Sequence, residues 1–168
     1  MVAPVFFCLY FLEILLKLWY YKLEVIYMMI STKGRYAVRI MLALCEDQSG
    51  GYVSLKSIAE DEGISEKYME SITSMLVKEG FVEGIRGKGG GYRLKQPPKS
   101  YTLGSILKAT DGSLAPVSCL ECKPNRCDRA SGCKTLPVWE KLDKMINDYL
   151  ENITLEDVFN ESMNEANS

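Results

Sequence analysis

Apolar positions recur at helical spacing through most of this chain, and the breaks between those stretches set out its organisation. From Ser31 to Asp47 the residues Tyr36, Ala37, Ile40, Met41 and Leu44 fall three and four apart, with Lys33, Arg35 and Arg39 at the front, which predicts a first helix. Gln48-Ser-Gly-Gly51 breaks it. Ser54 suits the N-cap of a short second helix carrying Leu55, Ile58 and Ala59 on one face. Gly63 turns the chain, and Ser65 caps a third helix to about Glu79. Its inward face is Met69, Ile72 and Leu76, with Met75 beside them, and its outward face is Lys67, Glu70, Ser71, Ser74 and Lys78.

After Gly80 the pattern changes. Phe81-Val82 and Ile85 predict a strand and Tyr92-Arg-Leu94 its return, with Gly87-Lys-Gly-Gly-Gly91 as the hairpin tip. Two helices about a glycine turn make a helix-turn-helix, and a following hairpin makes it winged. Pro97-Pro98 closes that unit. A short helix is predicted over Thr102–Asp111 and a longer one after Thr135, with Val138, Trp139, Leu142, Met145, Ile146, Tyr149, Leu150 and Ile153 as a broad apolar stripe. A stripe that wide at the end of a small domain calls for a partner helix. The predicted fold is mainly α: a winged helix-turn-helix domain with a β-hairpin wing plus a long C-terminal dimerisation helix.

The expected division is an N-terminal extension over 1–28, a DNA-binding unit over 29–98, a cysteine-rich loop and dimerisation helix over 99–160, and a polar, disordered tail over 161–168. The extension is apolar from Met1 to Leu12 and is then interrupted by Glu13, Lys17, Lys22 and Glu24. It lacks the basic start and cleavage site of a signal peptide, and the charges fall inside any window long enough to span a bilayer. A mis-called start, with translation from Met28 or Met29, is preferred to an amphipathic membrane or partner-binding segment.

Composition alters this picture little; local charge and cysteine alter it more. The chain has 168 residues, 47% hydrophobic and 25% charged, with a net charge of −2. From Ile85 to Lys99 the only charges are basic: Arg86, Lys88, Arg93, Lys95 and Lys99. A basic stripe on a near-neutral protein can still bind a polyanion, because the field acts locally. The glycine run does not read as a phosphate loop, since a strand and Pro97 follow it where a helix would be needed. Arginine and lysine on a slim glycine tip suit a minor groove. Behind the turn, the outward face of the third helix suits the major groove, with Glu70 able to accept from a cytosine amine and Lys67 able to meet guanine or phosphate. Lys33 and Arg35 join Ser65, Lys67, Tyr68, Glu70, Ser71, Arg86 and Lys88 as candidate DNA contacts.

Four of the six cysteines, Cys119, Cys122, Cys127 and Cys133, crowd into one loop, and the chain has no histidine. Crowded thiols point to a metal or redox site in a reducing cytoplasm rather than a secreted disulfide scaffold. Without imidazole, Ser-His and Cys-His catalysis are excluded. A thiol oxidoreductase built on Cys119-x-x-Cys122 would need a thiolate at a helix start in a βαβ setting, which the pattern does not offer. No enzyme activity is expected. Four thiolates suit zinc and iron–sulfur clusters equally well, and a disulfide pair or idle thiols are the plainer alternatives. Cys45 reads as a core residue and Cys8 belongs to the extension.

Ser31-Thr-Lys-Gly-Arg-Tyr-Ala37, Ile64-Ser-Glu-Lys-Tyr-Met-Glu70 and Arg86-Gly-Lys-Gly-Gly-Gly-Tyr92 resemble the family of small bacterial winged-helix regulators that includes IscR, NsrR and CymR, the Rrf-two family. The likeness runs from about Met29 to Phe159 and keeps the motif order. It implies a cytoplasmic homodimer held by the long helix, acting as a repressor on a roughly palindromic double-stranded operator. Under it, Glu70 matches the acid that reads cytosine, Arg86 the minor-groove arginine, and Ser65 and Tyr68 neighbouring contacts. The Cys-x5-Cys spacing of Cys127 and Cys133 and the tryptophan at 139 match the family's cluster loop. Leu136 stands where IscR has its histidine ligand, and Arg35 where NsrR has an aspartate. The spare cysteine, Cys119 or Cys122, is then the simplest fourth ligand. The resemblance ranks an iron–sulfur cluster, [2Fe-2S] or [4Fe-4S], above cluster-free thiol sensing of the cysteine-metabolism kind, and both above zinc.

Overall fold

The computed structural model describes residues 30–47, 51–87 and 89–166. The extension over 1–28 and Lys88 therefore lie outside the described residues. Helix α1 spans Thr32–Glu46, α2 Leu55–Glu62 and α3 Glu66–Lys78. Strands β1 (Val82–Ile85) and β2 (Gly91–Leu94) form an antiparallel hairpin with Val82 opposite Leu94 and Ile85 opposite Gly91. Helices α4 (Leu103–Asp111), α5 (Leu136–Glu151) and α6 (Leu155–Ala166) follow, with short 3-10 turns at Pro98–Ser100, Ser118–Leu120 and Ala130–Gly132.

The caps predicted at Ser54 and Ser65 start their helices, and the structure adds Ser31 and Thr102. The hydroxyls of Ser31, Ser54, Ser65 and Thr102 each accept a backbone N–H from the first turn of α1, α2, α3 and α4. Gly63, at φ 65°, ends α2 and makes the turn into α3. The helical spacing then gathers Ala37, Ile40 and Met41 of α1 with Met69, Ile72 and Leu76 of α3, all fully buried. Leu55 and Ile58 of α2, Val82 of the wing and Ile106 of α4 close the same core.

Two joints fix the wing to this core. Val53 and Tyr92 exchange both backbone hydrogen bonds, N–H to O, at 2.9 and 2.8 Å, so the residue before α2 adds a short third rung to the hairpin. The buried Tyr101 hydroxyl donates to the Phe81 carbonyl at 2.9 Å and accepts from the Gln96 N–H at 2.7 Å. Burial holds its phenol above the ordinary value, against the pull of the Gln96 and Lys95 backbone.

The C-terminal part departs from the pattern reading. The apolar stripe predicts one helix running to Ile153, but α5 stops at Glu151. The Leu103 N–H donates to the Ile153 carbonyl at 2.9 Å and the Leu155 N–H donates to the Tyr101 carbonyl at 2.8 Å. These cross-chain bonds take the backbone groups that a continuing helix would use. Thr154 then restarts the chain. Its hydroxyl accepts the Asp157 N–H at 3.1 Å while the Asp157 carboxylate accepts from the Thr154 N–H at 2.8 Å, a reciprocal cap. With Leu155 fully buried against the core, α6 runs on through residues 161–166, where the sequence predicts an irregular tail.

Candidate nucleic-acid interface and thiol loop

Helix α3 presents one face to the core and the opposite one to solvent. Lys67, Glu70, Ser71 and Ser74 are exposed, and neither Lys67 nor Glu70 engages another side chain among the described residues. Ser71 and Ser74 turn their hydroxyls back onto the carbonyls of Tyr68 and Ser71, at 2.7 and 2.8 Å. Ser65 is occupied in capping the helix. Tyr68 is half-buried, edge-on to Tyr36 with ring centroids 6.1 Å apart. Arg39 lies 5.5 Å over the Tyr36 ring and pairs with Glu62 at 2.6 Å, bridging α1 to the end of α2. The orientation of α3 is thus set by packing below and by this aromatic stack at its start.

The wing tip carries Arg86, exposed and free of other side chains among the described residues. Gly87 and Gly89 beside it adopt φ of 104° and 79°, conformations closed to most L-residues, which keeps the tip narrow. The basic stripe is less uniform than the sequence suggests. Arg93 pairs with Glu83 at 2.7 Å across the hairpin and lies 4.7 Å over the Tyr52 ring. Glu83 lies just outside the acid-free segment, but the antiparallel register sets it directly opposite Arg93. Arg35 is exposed near the start of α1, its guanidinium donating to the Thr32 hydroxyl at 3.2 Å, and Lys33 is half-buried nearby.

One contact joins residues 80 positions apart. Asp111, the last residue of α4, accepts from the Ser31 N–H at 3.0 Å and the Ser31 hydroxyl at 2.5 Å. An acid at a helix C-terminus opposes the macrodipole, whereas at the N-terminus of α1 it is favoured. That mismatch is the signal the sequence held for a distant partner. A Cβ on Gly34 would sit 2.5 Å from Asp111 Oδ2, so a side chain there would push the two helices apart.

The chain leaves Asp111 through Gly112 into the thiol loop. Ser118, Cys119, Cys122, Arg126 and Cys127 line one cleft of about 300 Å³. Cys133 is not part of that lining; its sulfur lies 3.4 Å from the Thr135 hydroxyl. The hydrogen bonds from Thr135, side chain then backbone, hold the Cys133 thiol below its ordinary value. Burial pushes Cys45 the other way, with Glu156 and Glu46 adding to it. All five described cysteines are unbridged. The donor set, thiolates flanked by Arg126, fits a cluster or a soft metal in its chemistry. Yet among the described residues no group of three or more ligands stands close enough to hold a metal ion, so the four thiols are not pre-assembled into one site.

No helix among the described residues is long and apolar enough to cross a membrane. Residues 30–161 match the model of the Rrf2 family, described as an iron-dependent transcriptional regulator. The HTH-type transcriptional regulator IscR of Erwinia tasmaniensis is 37% identical over 133 residues, covering 79% of this chain and 79% of that protein. The solved structure of CymR, the global cysteine regulator of B. subtilis, superposes with a TM-score of 0.65 at 36% identity, covering 79% of this chain and 97% of that one. The structure of T. potens IscR gives 0.61 at 37% identity, covering 79% and 86%.

Proposed function

We propose, from the premise that this chain belongs to the Rrf2 family of helix-turn-helix transcriptional regulators, that it is a homodimeric repressor whose hold on a roughly palindromic operator follows the state of its cysteine loop. It is a regulator and not an enzyme. One observation carries the DNA-binding assignment. On a domain with a well-buried core, the outward face of α3 leaves Lys67 and Glu70, and the neighbouring wing tip leaves Arg86, without a side-chain partner among the described residues.

In this reading α3 enters the major groove and Arg86 the minor groove. Ser65, Tyr68 and Ser71 lie along the entry, Lys33 and Arg35 meet phosphate, and Lys88 is assigned to the wing by sequence alone. Glu70 acts as a filter, since a carboxylate facing a base acceptor costs more than one facing a cytosine amine. The exposed apolar face of α5 supplies the dimer contact that a two-fold operator requires. The Asp111–Ser31 tie supports a coupling route, because it fixes the start of the thiol loop to the end of α1 that bears Lys33 and Arg35.

Cys119, Cys122, Cys127 and Cys133 are the residues that would hold an iron–sulfur cluster, which would supply an oxygen- and redox-sensitive group. The loop's own contribution is soft ligation and positive charge from Arg126 beside the thiolates. The competing reading is cluster-free thiol sensing, with zinc ranked below both. It is favoured by Cys119, Cys122 and Cys127 sharing a cleft that Cys133 does not line.

Fluorescence anisotropy on operator and scrambled DNA tests the first part. Glu70→Ala should relax sequence preference by about 1–3 kcal/mol per affected base pair, and Arg86→Ala should weaken binding to both DNAs. A uniform affinity loss in Glu70→Ala would remove α3 from the reading. Anaerobic reconstitution with iron and sulfide tests the second. A visible chromophore lost in Cys127→Ala and Cys133→Ala supports the cluster, and its absence from the parent protein supports thiol sensing.

A further inference from the structure

Glu121 stands within the thiol loop with its Oε1 oxygen buried and without a hydrogen-bond partner. Folded proteins rarely leave a buried polar atom unsatisfied, and in this loop Glu121 Oε1 and Asn125 Nδ2 are both left so. Glu121 is also a wall of a second cleft, of about 440 Å³, distinct from the one lined by the thiols. The end of α4 (Lys108, Gly112), the following loop and the inner side of α5 (Asp143, Asn147) enclose it.

The walls carry both signs of charge. Lys108 is already taken up by Glu151 at 2.7 Å, whereas Lys123 is exposed and engages no other side chain among the described residues. Asp143 faces the cleft beside Glu121, held in part by the Asn147 amide at 3.3 Å. Leu114, Ala115 and Leu120 complete an apolar side. A lone anion would meet two carboxylates there. A lone cation would leave Lys123 unused. A metal ion finds no group of three ligands among the described residues. A ligand carrying ammonium, carboxylate and an apolar group would use every wall, and the volume lies in the range of small-molecule sites.

We propose that this cleft binds a free α-amino acid with an uncharged side chain. Its ammonium donates to Glu121 and Asp143, its carboxylate pairs with Lys123, and its side chain packs on Leu114, Ala115 and Leu120. The site begins at Gly112, next to the Asp111 that holds Ser31, so occupancy acts on the same helix end as the thiol loop. The proposal goes beyond the operator reading and does not depend on it, since binding is measured without DNA.

The test is calorimetric titration of the reduced, metal-free full-length chain with L-leucine, L-methionine and L-serine. At least one should bind at one site per chain, and for L-leucine the analogues 4-methylpentanoate and isoamylamine should each bind about tenfold or more weakly. Lys123→Gln, at an exposed position, and Glu121→Gln should weaken the amino acid by a similar factor while leaving the thiol titre unchanged. No heat from any of the three amino acids at millimolar concentration would overturn the proposal. So would an analogue that binds as well as L-leucine, or a Glu121→Gln chain that keeps amino-acid binding and loses iron binding instead.

Discussion

The segment from α1 to β2 and the segment from the thiol loop through α5 use their apolar residues in opposite ways. In the first, Ile40, Met41, Met69, Ile72 and Leu76 are all 0% exposed. In the second, α5 buries Leu150 alone, while its Val138, Met145 and Tyr149 stand 59%, 59% and 67% exposed. Each buried aliphatic side chain contributes about 1.5–3 kcal/mol relative to an exposed one, so the first segment specifies its own fold. The second holds its shape through a few ties to the first and leaves an apolar surface exposed, the face that the proposed reading gives to a second copy of the chain. A regulator needs that division: a rigid reader of DNA and a part whose state can change.

The largest expected effects test this division directly. Ile72→Ala, at the centre of the core, should destabilise the protein by about 2–5 kcal/mol, read as a shift in the chemical denaturation midpoint. Met145→Ala should leave the stability of the dissociated chain almost unchanged. Equal losses from the two would erase the contrast. Next in size is the dimer contact proposed for α5. Tyr149→Asp places a charge in the centre of that face and should raise the dimer dissociation constant by tenfold or more, about 1.4 kcal/mol or above. Sedimentation across a concentration series would show it, and an unchanged dimer would move the interface elsewhere.

Gly34→Ala probes the joint between the two segments. Its Cβ would sit 2.5 Å from Asp111 Oδ2 and 3.0 Å from Leu107 Cδ2, so Asp111 must release Ser31 or the helices must part. Overpacking of this kind costs about 1–3 kcal/mol, offset by up to about 1 kcal/mol of gained helix propensity. The sharper readout is functional. DNA affinity should no longer differ between thiol-reduced and thiol-oxidised protein, while the thiols themselves titrate as before. If the difference survives in Gly34→Ala and also in Asp111→Asn, coupling does not run through this contact.

What the sequence made legible follows the same boundary. Caps and periodicity are local, and α2 and α3 begin where Ser54 and Ser65 predict. The outward face of α3 and the narrow wing tip could be placed for the same reason. Contacts between distant residues were not legible. Asp111 and Ser31 lie 80 positions apart, and Glu83 meets Arg93 only through the hairpin register. The end of α5 was misplaced because its apolar stripe continues to Ile153, whereas backbone pairing with Tyr101–Leu103 stops the helix earlier. The thiol loop was legible as chemistry and not as geometry. Nothing in the spacing of four cysteines shows that three would line one cleft while the fourth rests against Thr135.

The smallest expected effect concerns the tie of α5 to α4, at Glu151. Its carboxylate accepts from the Lys108 ammonium at 2.7 Å and the Thr102 hydroxyl at 2.6 Å, linking the end of α5 to both ends of α4. The Lys108 bond first and the Thr102 bond second hold the carboxyl below the ordinary carboxylate value, with burial opposing them weakly. Because the folded-state value lies below the unfolded one, about 4.3, the unfolded chain binds more protons in the acid range and stability rises with pH there. The contribution is complete above the unfolded value and is lost as pH falls through the folded one. Both side chains of the Lys108–Glu151 pair are 40% exposed, so solvent screening limits the contribution to below about 1 kcal/mol. Glu151→Gln should therefore be slightly less stable than the parent at neutral pH, and the two denaturation midpoints should converge as the solution is acidified past the carboxylate range. A gap that stays constant down to the lowest pH would mean that the residue acts by shape alone, and the link between the segments would then rest on Asp111.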